Sequence, residues 1–268
     1  MLAGCVGQPG GIVGGGTAGV IITSFSPEVP EVESGSEVNF FVTVKNIGDV
    51  DNTGGLNLEL LGLDDWEGEK SKPIPVLKAA DPARGLEGEE QLFELKLTAP
   101  KGKEVSITYA PTARATFNYK TESNIQFRFA TSEQIRGTPA ESTAKVTTTG
   151  GPFVITVRGK LPVISSTSPK AKIQLEIQNV GGGRAITSTA GGPDFIIFSI
   201  EKKKGAEFGC TPKDKFRLIG GKSRLITCTI TALNPQPAGF ATATLDIKLA
   251  YGYFVETTTS VTVLKKIE

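Results

Sequence analysis

Residues 38–48, VNFFVTVKNIG, decide the fold class of this chain. Val38, Phe40, Val42 and Val44 fall on alternate positions, and most positions between them are polar. Such alternation over β-branched and aromatic residues predicts a β-strand with one buried face. An asparagine and a glycine follow at positions 46 and 48, and both residue types adopt turn conformations at low steric cost. The segment therefore predicts a strand that ends in a turn.

The same pattern returns at residues 172–183, KIQLEIQNVGGG, where an Asn-x-Gly stop again follows an alternating stretch. A second pair of similar segments, 115–120 and 243–248, follows the stops in the same order. Two matched landmarks indicate a duplicated unit. We predict a glycine-rich tail at residues 1–19, a first β-sandwich at 20–149 and a second at 150–268. Residues 147–152, TTTGGP, are the predicted linker.

Composition narrows the fold and the function. The 268 residues include 32 glycines and no histidine, and the net charge is +1. Without histidine the chain lacks the commonest general base and the commonest transition-metal ligand, so an enzyme is not expected. Balanced, interspersed charge argues against nucleic-acid binding. Short alternating segments separated by Gly, Pro and Asn turns predict an all-β protein of two tandem immunoglobulin-like β-sandwiches.

The glycine-rich tail contains two features of interest. Residues 2–5, LAGC, resemble the lipobox of lipoprotein signal peptides, in which the cysteine is lipidated. Two interpretations of Cys5 stay open: a lipid anchor, which requires a leader ahead of Met1, and an unmodified small residue. The tail and the first strand also contain apolar, β-prone residues that are candidates for strand addition to a neighbouring copy. These strand-donor candidates are Ile12, Val13, Val20, Ile21 and Ile22.

Two acidic loops are candidate ligand sites. Asp49, Asp51 and Asn52 lie in a glycine-flanked turn whose oxygens suit calcium, although the EF-hand pattern is absent and a solvated turn is the alternative. Asp64 and Asp65 stand beside Trp66, an arrangement that suggests contact with a carbohydrate through ring stacking. The alternative is a solvated loop with an anchoring tryptophan. No other cofactor is expected.

The opening of the first unit resembles CARDB-type and related β-sandwich modules associated with archaeal S-layers. The resemblance rests on residues 19–48, which follow the pattern E-V-x-x-G-x-x-V-x-F-x-V-x-V-x-N-x-G. It implies an extracellular, cell-surface protein whose sandwiches act as spacers, adhesins or subunits of layers and filaments. In that setting we expect Cys210 and Cys228 to form a disulfide; two reduced, buried cysteines are the alternative.

These features lead to one functional expectation and one alternative. We expect a non-enzymatic structural or interaction protein of the cell surface that associates with itself. In the sharper form it is a filament or pilus subunit that assembles by adding its N-terminal strand to a neighbouring copy, with membrane anchoring through Cys5. The alternative is a surface-anchored lipoprotein that binds carbohydrate or calcium for a separate enzyme or transporter.

Overall fold

The computed structural model describes residues 19–52, 56–130, 145–158, 163–164, 170–186, 195–232 and 241–265. In these ranges the chain forms β-strands, one 3-10 helix, η1 (Pro82–Arg84), and no α-helix, which confirms the all-β prediction. No helix in the same ranges is long and apolar enough to cross a membrane. The strands, in chain order, are β1 (Val20–Pro27), β2 (Glu31–Glu33), β3 (Glu37–Asn46), β4 (Leu56–Leu61), β5 (Glu67–Gly68), β6 (Ser71–Ile74), β7 (Glu90–Thr98), β8 (Ile107–Tyr109), β9 (Thr112–Ala130), β10 (Lys145–Thr148), β11 (Phe153–Arg158), β12 (Val163–Ile164), β13 (Lys170–Asn179), β14 (Arg184–Ile186), β15 (Ile196–Lys204), β16 (Ala206–Thr211), β17 (Lys215–Phe216), β18 (Ser223–Ala232), β19 (Ala241–Thr258) and β20 (Val261–Leu264).

Two antiparallel outer sheets share one strand arrangement. The first has the order β1-β3-β7-β5, and the second has the order β11-β13-β18-β16. The two alternating segments of the sequence lie in β3 and β13, at the same place in corresponding sheets. The alternating positions Val38, Phe40, Val42 and Val44 of β3 are buried, and the positions between them are half-exposed. The period of two therefore places one face of each outer sheet on the core.

A nine-stranded sheet connects the two halves. Its main order is β17-β15-β19-β9-β4-β6, and β9 and β19 pair antiparallel from Ala241 opposite Phe129 to Thr258 opposite Thr112. At about 3.3 Å per residue, the 19 residues of β9 extend over roughly 60 Å. The first part of β9 also pairs with β4, and the first part of β19 pairs with β15. Because the end of each long strand pairs with the start of the other, each contributes to both halves.

The range 150–268 also contributes a strand to the far side of the first half. Strand β20 pairs in parallel with β2 and antiparallel with β8, both of which precede residue 110. Buried apolar residues from both halves form one continuous cluster. The boundary at residue 149 stays a prediction, and the two ranges on either side of it interleave in the sheets.

The segment predicted as a linker is part of the sheet and of the core. Strand β10 pairs with β9 from Lys145 to Thr148. Gly150, Gly151 and Pro152 are then buried. This segment therefore fills the junction between the halves, and it is not an exposed connection.

Candidate functional site at the junction of the two halves

The turn after β3 is held by the side chain of Asn46, which is fully buried. Its Oδ1 accepts the Gly48 N–H at 3.0 Å, and its Nδ2 donates to the carbonyls of Val50 at 3.1 Å and Leu77 at 3.0 Å. The Asn46 N–H donates to the Glu89 carbonyl at 3.0 Å. A single asparagine thus satisfies several backbone groups that a buried turn would otherwise leave unpaired.

The turn after β13 repeats this network. Asn179 Oδ1 accepts the Gly181 N–H at 3.2 Å, and Nδ2 donates to the carbonyls of Gly183 at 2.9 Å and Gly221 at 3.1 Å. The Asn179 N–H donates to the Lys222 carbonyl at 2.7 Å. The repeated Asn-x-Gly phrase of the sequence therefore encodes one hydrogen-bonded turn built twice.

Tyr119 of β9 and Tyr253 of β19 pack against these two turns. Tyr119 is buried on β9 and donates to the Gly150 carbonyl at 3.0 Å. A Cβ at Gly48 would lie 2.0 Å from the Tyr119 hydroxyl, and a Cβ at Gly181 would lie 2.5 Å from that of Tyr253. Real Cβ atoms do not come so close to another heavy atom, so both turns require glycine.

Burial controls the titration of this tyrosine cluster. It raises the pKa of Tyr119 to about 12 and the pKa of Tyr253 above its ordinary value. The pKa of Tyr251 is raised well above its ordinary value for the same reason, and the Tyr251 hydroxyl is 2.7 Å from that of Thr121. The three phenols stay protonated at neutral pH, which suits packing and hydrogen bonding better than proton transfer.

A polar groove of about 460 Å³ lies at the centre of the nine-stranded sheet. Apart from one isoleucine, its lining residues carry carboxylates, an amide, hydroxyls and one ammonium group, among them Glu122, Asn124, Thr149, Glu201, Asp246 and Lys248. Asn124 donates to Asp246, and the Glu122 N–H donates to the Thr149 hydroxyl at 3.0 Å. This arrangement can hydrogen-bond a polar ligand. The residues come from segments far apart in the sequence, and no motif marks them.

The predicted calcium residues are engaged in hydrogen bonds within the protein, and one of them, Asp49, binds the junction segment. Asp49 accepts the Gly150 N–H at 2.6 Å, and Asn52 Oδ1 accepts the Leu77 N–H at 2.6 Å. A lysine ammonium at 2.9 Å and a backbone N–H at 2.8 Å bind the Asp51 carboxylate and lower its pKa. No group of three acidic, histidine or cysteine side chains suited to a metal occurs in the described ranges. Calcium binding at this turn stays a prediction.

Trp66, the residue predicted to stack on a carbohydrate, is buried in the structure. Trp66 is 2% exposed, with its ring 5.7 Å from that of Phe40 and 5.6 Å from that of Tyr109. Asp65 accepts a hydrogen bond from the Tyr109 hydroxyl at 2.8 Å, and Asp64 is exposed. The tryptophan therefore anchors the loop in the core, which corrects the expectation of a ring that is open to a sugar.

The strand-donor residues divide into two groups. Val20, Ile21 and Ile22 lie in β1 and pair with Asn46, Lys45 and Val44 of β3. They are already used within their own sheet, which corrects their assignment as free donors. The other two, Ile12 and Val13, lie outside the described residues, as does Cys5.

The two predicted disulfide partners are bonded. Cys210 on β16 and Cys228 on β18 have an S–S distance of 2.06 Å and are 18 residues apart in sequence. Both are buried. The bond ties an edge strand of the second outer sheet to its neighbour.

Comparisons with known proteins give no family for this chain. No protein-family model matches it, and no curated protein matches it. The residues and their contacts therefore carry the functional argument.

Proposed function

We propose that this protein is a non-enzymatic structural or interaction subunit of a cell surface, built from two immunoglobulin-like sandwiches. The observation that supports it most is the ladder between β9 and β19, which includes all 18 residues of β19. Separating the halves would break these hydrogen bonds and expose a shared core. Such a unit suits a rigid spacer or a load-bearing subunit.

Three further features support the class and the location. The chain has no histidine. The side-chain amides of Asn46 and Asn179 donate to backbone carbonyls, so these groups are not free for chemistry on a substrate. A buried disulfide is favoured in oxidising compartments, which agrees with the extracellular setting that the resemblance to archaeal S-layer-associated modules implies.

Self-association by strand addition is the assembly route in this proposal. In the described ranges β1 and β11 each pair with a single neighbour, so each presents an edge with unpaired backbone groups. Residues 20–22 already pair with β3 as part of β1. The segment around Ile12 and Val13 is therefore the remaining candidate for the donated strand. Apolar residues at alternate positions of an added strand give such a contact its specificity.

Electron microscopy of native and variant protein tests this route. We expect filaments or a layer from the native chain, and we expect deletion of residues 1–18 to remove them. The deletion stops before Gly19, because its carbonyl accepts the Ile47 N–H at 2.7 Å. Two double variants of equal charge test the role of the apolar side chains. Ile12→Asp with Val13→Asp should prevent assembly, whereas Gln8→Asp with Thr17→Asp should leave it unchanged. Normal filaments from the deletion would reject strand addition.

Membrane anchoring through Cys5 is the second part of the proposal. Mass spectrometry of protein purified from its native membrane should find a diacylglyceryl or acyl group on this cysteine. Cys5→Ser should release the protein into the medium. An unmodified Cys5 in native material would reject the anchor.

The polar groove favours one other function, a binding module for a carbohydrate. Its carboxylates and hydroxyls match the hydrogen-bonding groups of a polyhydroxylated ligand. Glycan-array binding should be lost in Glu122→Gln with Glu201→Gln and kept in Glu28→Gln with Glu31→Gln, which alters exposed acids elsewhere. Calcium binding is tested separately by a calcium-dependent thermal shift that Asp51→Asn removes. An array without any bound glycan would reject the carbohydrate module.

A further inference from the structure

Two corresponding connections of the molecule have opposite charge. The acidic connection, residues 78–90, leads into β7 and contains four acidic and two basic residues, a net charge of −2. The basic connection, residues 213–224, leads into β18 and contains five basic residues and one acidic residue, a net charge of +4. Strands β7 and β18 hold the same place in the two outer sheets.

The asparagine turns fix the correspondence of these connections residue by residue. The Asn46 N–H donates to the Glu89 carbonyl in the acidic connection, and the Asn179 N–H donates to the Lys222 carbonyl in the basic one. A glutamate and a lysine thus occupy equivalent positions. The structural framework is repeated here while the sign of the side-chain charge is reversed.

Each connection exposes one large apolar side chain, and a strand next to each connection exposes another. Leu86 in the acidic connection is 57% exposed, and Leu92 at the start of β7 is 61% exposed. Ile219 in the basic connection is 68% exposed, and Ile197, which lies opposite Lys215, is 51% exposed. Exposed apolar groups close in sequence to charged ones, as Leu86 is to Glu87, are found at protein contact surfaces.

Within the described ranges the positive charge of the basic connection is not neutralised by ion pairs. In the described part of the molecule none of its five cations lies within ion-pair distance of a carboxylate. Lys215 and Arg217 instead lie over the ring of Phe195, at 5.0 and 4.4 Å from its centre. In the acidic connection Glu87 binds Lys45 at 2.6 Å, but its side chain stays 85% exposed.

We propose that the basic connection of one copy docks on the acidic connection of the next copy of this chain. The partner is a second copy because each molecule carries both surfaces, with complementary charge and with apolar residues at both. The contact joins two different surfaces, so repetition extends a chain of subunits unless the rotation closes a ring. The inference deepens the proposed self-association and rests on it, but it uses a surface separate from the N-terminal segment.

Sedimentation velocity of the full chain tests the contact. Association should weaken at least about tenfold when ionic strength rises from about 0.05 to about 0.5 M, because charges are then screened over a few Å. Lys213→Glu with Lys222→Glu should abolish self-association. Asp81→Lys with Glu87→Lys should do the same. Mixing these two double variants should restore association between them, since each supplies one surface of the reversed pair.

Matched controls separate this contact from general charge effects and from strand addition. Lys120→Glu with Lys145→Glu changes two exposed lysines elsewhere and should associate as the native chain does. Deletion of residues 1–18 should leave the salt-dependent association intact even if it removes filaments. A native chain that stays monomeric at low salt, or reversal variants that associate normally, would overturn the proposal. Binding of the basic connection to an anionic polymer without self-association would also overturn it.

Discussion

The first and second halves of the molecule build the same asparagine turn and secure the sheet beside it by different means. In the first half Asn46 is fully buried, and the edge strand β5 pairs with β7 through only two residues. In the second half Asn179 is half-buried, and a disulfide joins the longer edge strand β16 to β18. The first half thus depends more on a buried polar network, and the second has a covalent tie.

The largest effect should come from removing that covalent tie. Cys210→Ser with Cys228→Ser should lower the free energy of unfolding by roughly 3 kcal/mol, because the unfolded chain is no longer constrained over the 18-residue separation. Urea denaturation without reductant measures this loss. The native chain treated with reductant is the control and should match the variant. A loss under about 1 kcal/mol would show that the second half does not depend on the disulfide.

The two asparagines should differ in importance. Asn46→Ala should cost about 2.5 kcal/mol, since it leaves the buried Leu77 carbonyl and the buried Gly48 N–H without this partner and removes a bond to the half-buried Val50 carbonyl. Asn179→Ala should cost about half as much because water reaches its turn. Denaturation curves of both variants measure the difference. Asn57→Ala, at an exposed site, is the control and should be nearly neutral. Equal costs at positions 46 and 179 would contradict the proposed contrast.

The glycines under the tyrosines should come next. Gly48→Ala and Gly181→Ala should each cost about 2 kcal/mol through overpacking against Tyr119 and Tyr253. Gly182→Ala is a matched control, because a Cβ there meets nothing within 4 Å. Thermal unfolding compares the three variants. A neutral Gly181→Ala beside a neutral Gly182→Ala would show that Tyr253 does not pack on the turn in solution.

The smallest effect at neutral pH should come from Tyr119→Phe, at about 1 kcal/mol for the lost hydrogen bond. Alkaline pH should reveal more. The folded-state pKa of Tyr119 is raised to about 12 from an ordinary value near 10, so its contribution is complete below about pH 10 and is lost as the pH rises towards 12. The native chain should therefore lose up to about 1.4 kcal/mol per pH unit relative to Tyr119→Phe. Parallel slopes for the two proteins above pH 10 would contradict a buried, neutral phenol.

Local sequence pattern was sufficient for the outer sheets and insufficient for the way the halves join. The alternation in β3 and β13 and the Asn-x-Gly stops act within a few residues, so the strands and their turns could be predicted. The pairing of Ala115 with Val255 spans the two halves, and nothing near either residue specifies it. The similarity of residues 115–120 to residues 243–248 indicates equivalent strands. It does not indicate that the two strands containing them, β9 and β19, pair with each other.

The candidate sites show the same limit. Trp66 has acidic neighbours that indicate solvent, yet its ring packs on Phe40, because alternate residues of a loop can face opposite ways. The groove with Glu122 and Asp246 could not be predicted, since its residues meet only after β9 and β19 have paired. Spacing in a sequence reports neighbours along a strand, and it does not report neighbours across a sheet of distant strands.

Calorimetry of the full chain tests most directly whether the β9–β19 ladder makes the two halves one unit. We expect one unfolding transition, with equal calorimetric and van't Hoff enthalpies. Gly48→Ala in the first half and Gly181→Ala in the second should each move that same transition to lower temperature. Two separate transitions, each moved by only one of these variants, would contradict a shared structural unit.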